Sequence, residues 1–162
     1  MKYIIAVFTL FLCAVSCTNN RTEKSIIIQK VKVDLTKTPQ EAISATHYTQ
    51  YVEPSVMSSM PQPEVDEVEV YFICFDQGLS SSQLEQMVHA HGLKLVDPIT
   101  LCAFNEQYPE LANTIPNATQ WRDKNDKIHY MSFVEFHGEH KVNAHQDDFG
   151  WGAYWFFGCV RK

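Results

Sequence analysis

The sequence predicts an α+β domain over residues 68–162, with two short helices packed against a mainly antiparallel, β-rich C-terminal half. Three observations carry that class. Residues 68–75 form a β-branched and aromatic run of strand length, helix-start signals stand at Ser82 and Asp97, and after Trp121 aromatic stretches alternate with turn residues. Hydrophobic residues at 45% and aromatics at 12% are enough to bury one modest core, which excludes wholesale disorder.

Each element follows in chain order. Met1, Lys2 and Tyr3 give a positive start, and residues 4–15 are apolar except for Thr9 and Cys13. Twelve residues at ~1.5 Å each span about 18 Å, short of the ~30 Å needed to cross a bilayer core, so residues 1–16 read as a signal peptide. Residues 17–67 read as a polar tether and linker with one strand at 26–35, where Val31, Val33 and Leu35 alternate with charged residues. Pro39, Pro54, Pro61 and Pro63 mark the linker, with one helical turn near residues 40–44.

The strand at 68–75 ends in the turn signal Asp76-Gln77-Gly78. Ser82 with Glu85 forms a capping box, after which Leu84, Met87, Val88 and His91 recur at helical spacing up to Gly92. Asp97 followed by Pro98 opens a second helix, which Pro109 ends or kinks. Residues 127–137 and 139–145 pair as a hairpin turning at Gly138-Glu139. Asp147, Asp148, Phe149 and Gly150 turn the chain into a last strand, with Ala153, Trp155, Phe157 and Cys159 on one face and Tyr154, Phe156 and Val160 on the other. Apolar residues on both faces mark a doubly covered strand.

Two resemblances accompany these residues. Ala14-Val15-Ser16-Cys17 resembles the bacterial lipobox, with Ala14 where leucine is usual; the resemblance implies diacylation of Cys17 and a membrane-anchored lipoprotein. Leu101, Ala103, Phe104, Tyr108, Pro109, Glu110 and Leu111, with Trp155, Phe156, Phe157, Val160, Arg161 and Lys162, resemble an uncharacterised bacterial domain family. The closing phrase is also similar to the final strand of C-type-lectin-like folds, which implies such a fold without carrying over any catalytic or calcium-binding residue.

The formal charge is −6, and removing residues 1–16, which carry Lys2 and no acid, makes it −7. Thirteen basic residues scattered among 19 acids give no phosphate-binding patch, so nucleic acid is excluded as a partner. With Cys17 acylated, Cys74, Cys102 and Cys159 each lie in an apolar run, as packed thiols, as one disulfide or as a nucleophile, though no flanking pattern resembles a cysteine-enzyme signature. His137 and His140, facing each other across the hairpin, are the candidate metal ligands. Trp151, between two glycines, is the leading candidate for ligand contact, with Trp121 and Tyr154 beside it. No catalytic residue and no cofactor are expected. The expected function is a binding or structural module on the bacterial envelope, periplasmic or surface-exposed, for a protein or glycan ligand. A small envelope hydrolase, metal-dependent through its histidines, and an immunity or inhibitor lipoprotein are the alternatives.

Overall fold

The computed structural model describes residues 25–146 and 150–162. The leader, Cys17 and the turn expected at residues 147–149 lie outside the described residues.

The described chain opens with β1 (Ser25–Lys32), α1 (Pro39–Ala45), β2 (Thr49–Val52) and α2 (Pro54–Met57). It continues through β3 (Glu67–Cys74), α3 (Ser81–Ala90), β4 (Leu93–Leu95), α4 (Pro98–Gln107) and α5 (Pro109–Ala112). It closes with β5 (Asn117–Arg122), β6 (Ile128–Phe136), β7 (Glu139–Gln146) and β8 (Phe156–Arg161). The strands form one mixed sheet in the order β1-β3-β8-β5-β6-β7-β2, with β4 also paired to β8. Most pairs are antiparallel, and β2 with β7 and β5 with β8 are parallel. The class is therefore α+β.

Alternation along the strands divides apolar residues between the two sheet faces. On the first face Val31, Val70, Phe72, Met131, Phe133, Val142 and Val160 pack beneath Ile43 of α1, Val56 of α2, and Ile99, Leu101 and Phe104 of α4. On the second, Tyr71, Ile73, Ala118, Phe157 and Cys159 pack beneath Leu84 and Val88 of α3 together with Leu79 and Trp151. β8 feeds both clusters, as a doubly covered strand must. Its Gly158 lets α4 come close: a Cβ there would meet Val96 Cγ1 at 2.9 Å and Leu101 Cδ1 at 3.2 Å.

The stretch expected as linker is built into this core. β1 pairs with β3 over its whole length, and Val31, Val33, Ala42, Ile43, Tyr48, Val56 and Met60 are buried in the first cluster. Pro39 and Pro54 punctuate this segment by starting helices at a position where the missing N–H costs nothing, and Thr38 caps α1 with a capping box to Glu41. The folded unit therefore begins well before residue 68.

Smaller shifts follow from the same physics. The cap of α3 is Ser80 with Gln83 in place of Ser82 with Glu85. β8 starts at Phe156, which leaves Trp155 ahead of the strand and only partly buried. β5 is buried yet polar, and its side chains bond into the core: Asn117 and Asn105 exchange amide hydrogen bonds of 2.9 and 3.2 Å, and Thr119 Oγ1 donates to Val96 O. At the outer edge of β1 the Gln107 amide accepts from Lys32 N at 3.1 Å and donates to Lys32 O at 2.6 Å, while the Tyr108 hydroxyl donates to Lys30 O. Two side chains thus stand where a further strand would pair.

Candidate binding groove

Among the described residues, the cover over β3 and β8 on the second face does not extend across β6 and β7. Tyr130, Ser132 and Val134 of β6 lie on this face with His145, Asn143 and Lys141 opposite them on β7. Tyr130, Val134, Asn143 and His145 are partly exposed. At the far end Lys141 sits 5.3 Å from the rings of both Tyr51 and Phe136 and 2.9 Å from Glu139, whose carboxyl it holds below the usual range.

A wall rises where this open area meets the covered half. Trp151 exchanges backbone hydrogen bonds with Leu79, its N–H donating at 2.7 Å and its carbonyl accepting at 2.9 Å. Gly150 makes that approach possible, because its φ is +78° and a Cβ would stand 2.7 Å from the Leu79 carbonyl. Trp151 Nε1 donates to Gln120 Oε1 at 2.8 Å, and Gln120 Nε2 donates onward to Ser81 O at the start of α3. The indole meets Tyr130, Trp155 and Phe157 at near-right angles, with centroids 5.4, 5.5 and 5.1 Å away. Gly150, Trp151 and Trp155 with Tyr130, Ser132, Val134 and Asn143 enclose a groove of about 260 Å³.

Two polar groups in this groove have no partner among the described residues. Ser132 is 4% exposed, and neither its hydroxyl nor the Asn143 amide makes a hydrogen bond among the described residues. A larger cleft of about 470 Å³ lies beside Trp121, and some of its polar groups are already engaged. Asp97 accepts from Thr100 N and Oγ1, and Arg161 donates to the Tyr71 hydroxyl. Burial raises the Asp97 carboxyl above its ordinary range in spite of those bonds.

The candidates read from sequence separate in space. Trp151 was expected on an open loop, but it is 8% exposed and central to the second cluster, showing only an edge to the groove. Trp121 belongs to the first cluster on the opposite face, where its Nε1 donates to Ser59 Oγ, so it takes no part in the groove. Tyr154 is 62% exposed, and its ring lies 5.4 Å from that of Trp155 at the rim. Trp155, expected in the core, packs against the second cluster but is only partly buried and lines the groove, and Ser132 and Asn143 were missed because small polar residues on a strand carry no signal of their own.

His137 and His140 do not face each other. The hairpin turns on His137-Gly138, whose φ values are +55° and +78°, so β6 and β7 close with Phe136 opposite Glu139 and His140 opposite Glu135. The His137 ring packs on Phe136, while the His140 ring packs on Tyr48 and leaves its buried Nδ1 without a partner. Among the described residues no three His, Cys, Asp or Glu side chains gather to hold a metal ion. Buried His129 places Nε2 3.3 Å from Asp123 Oδ2 without hydrogen-bond alignment. Cys102 and Cys159 are buried free thiols, both pushed well above the ordinary thiol range by burial, and Cys74 Sγ donates to Ala153 O. No family model, curated protein or solved structure matches the chain. Among the described residues no helix is long and apolar enough to cross a membrane.

Proposed function

We propose that the chain is a bacterial cell-envelope lipoprotein, exported by residues 1–16 and anchored through acylated Cys17, and that its folded part is a binding module working through the groove at Trp155, Ser132 and Asn143. The observation that carries the binding reading is that groove: aromatic surface and two unpartnered polar side chains sit together against a wall held by backbone hydrogen bonds. The address rests on the leader, whose apolar run is too short to span and ends in small residues before Cys17. Likeness of the closing strand to C-type-lectin-like folds is a separate proposal about descent, on which binding does not depend.

Intact-mass measurement of the mature protein tests the anchor. The expected N-terminus is Cys17 with added acyl mass, and the Cys17→Ala variant leaves the membrane fraction or stalls unprocessed; an N-terminus without acyl mass overturns the anchor. For the groove, a photo-crosslinking residue at Tyr154 in intact cells should give a discrete adduct that disappears in the Trp155→Ala/Asn143→Ala double variant. An adduct indifferent to that double change removes the groove from the function.

A further inference from the structure

The lining of the groove restricts what can fill it. Among the described residues it carries no charged side chain, so an anion or cation would be desolvated there without a countercharge from them. β6 and β7 form their ladder with each other across this face, so an extended peptide lying on it finds no main-chain donors or acceptors. A purely hydrocarbon occupant would cover Ser132 and Asn143 and leave both dry and unpaired, which opposes binding. What remains is an uncharged molecule with an apolar surface for the aromatics and hydroxyls on its rim.

We propose that the groove is a subsite for one ring of a neutral sugar within an envelope glycan, an assignment that rests on the binding reading above. At about 260 Å³ it falls below the ~300–1,000 Å³ of pockets for drug-sized ligands, which suits a single ring entered from an open side. Trp155 and Tyr130 offer aromatic surface to the C–H side of the ring, and Trp151 fixes both without stacking on either. A sugar hydroxyl both donates and accepts, as do the Ser132 hydroxyl and the Asn143 amide, so adjacent hydroxyls complete the hydrogen bonding the protein leaves open. Ser132 and Asn143 are cross-strand neighbours and so act on one edge of the ring. Tyr154, exposed at the rim beside Trp155, is placed to meet the next sugar along a chain.

The test is a titration of the full chain, held in a polyoxyethylene detergent that contains no sugar, with chitotriose, cellotriose and maltotriose, followed by tryptophan fluorescence. A saturable change is expected with at least one of them, with Kd on the order of 1 mM or tighter. Trp155→Ala should weaken it by about tenfold or more, and Asn143→Ala and Ser132→Ala by roughly threefold to tenfold each. Asn143 is partly exposed, so its variant stays folded and its thermal melt should match the unsubstituted chain even if Ser132→Ala is destabilised. Three results overturn the assignment: no saturable change with any of the trisaccharides, tighter binding of an anionic oligogalacturonate, or an affinity unmoved by Asn143→Ala. If sugars fail while the Tyr154 crosslink still depends on Trp155 and Asn143, the sugar assignment falls and the binding reading stands; loss of both removes the two together.

Discussion

Replacing Trp151 by alanine tests whether the groove's wall belongs to the core. The indole is 8% exposed and touches Tyr130, Trp155 and Phe157, so truncation removes a large buried side chain whose neighbours are held by backbone. Such a loss costs about 3–5 kcal/mol, a large share of the ~5–15 kcal/mol that holds a domain together. It also orphans Gln120 Oε1 on a side chain only 3% exposed. Trp151→Phe isolates that part, keeping a ring while losing the donor, at about 1–3 kcal/mol. Trp155→Ala, at a partly buried position on the rim of the second cluster, should cost less, about 1–2 kcal/mol. At roughly 4 °C per kcal/mol for a domain of this size, Trp151→Ala lowers Tm by about 12–20 °C and Trp155→Ala by a few degrees. Urea melts followed by far-UV circular dichroism make the comparison, because that signal does not depend on the indoles being removed, and equal slopes would show that the unfolding reaction is unchanged. A Trp155→Ala variant less stable than Trp151→Ala would refute the assignment of core and groove.

Three further outcomes follow from the geometry. Gly158→Ala drives a methyl against Val96 and Leu101 and should lower stability by about 1–3 kcal/mol in the same urea melts, whereas an unchanged midpoint would mean that α4 is free to move away from β8. Asp97 has a folded pKa raised by burial, so its contribution to stability is fully present below its ordinary unfolded value near 3.9 and is lost as pH rises through the raised folded value. Asp97→Asn retains the acceptor for Thr100 N and should abolish that decline, making the variant at least as stable as the parent at pH 7; a variant that loses stability steadily toward pH 7 contradicts this. Cys102 and Cys159 should stay unmodified by iodoacetamide in the folded protein and react on unfolding, as read by peptide mass, and rapid native labelling would show that these thiols are not buried.

Elements that declare themselves by local rules were legible in the sequence. The 68–75 run, the Asp97-Pro98 start of α4 and the arms of the hairpin at Gly138 fall within one or two residues of their observed ends, because side-chain alternation and capping chemistry act over a few positions. β5 escaped because burial of Asn117, Thr119 and Gln120 is made tolerable by partners elsewhere in the chain, Asn105, Val96 and Ser81, which hydropathy cannot see. The prolines of residues 36–67 suggested a linker, yet two of them start helices whose apolar faces find their cover only once β7 and α4 are in place. Trp151 between glycines looked exposed for a related reason: Gly150 supplies the close approach to Leu79 that buries the indole, and that contact joins residues far apart in the chain.

The amide of Gln107 against Lys32 determines where the sheet stops. β1 is one edge strand of the sheet, and an edge strand offers unpaired backbone groups to any second copy that meets it. An open edge of eight residues, with Ile26 and Ile28 exposed along it, would be an invitation to stack copy on copy into a ribbon. By satisfying both backbone groups of Lys32, with Tyr108 taking the carbonyl of Lys30, α4 and the residue after it shorten the reactive length to the first few residues of the strand. An encounter between two copies along this edge then has only a short ladder to form.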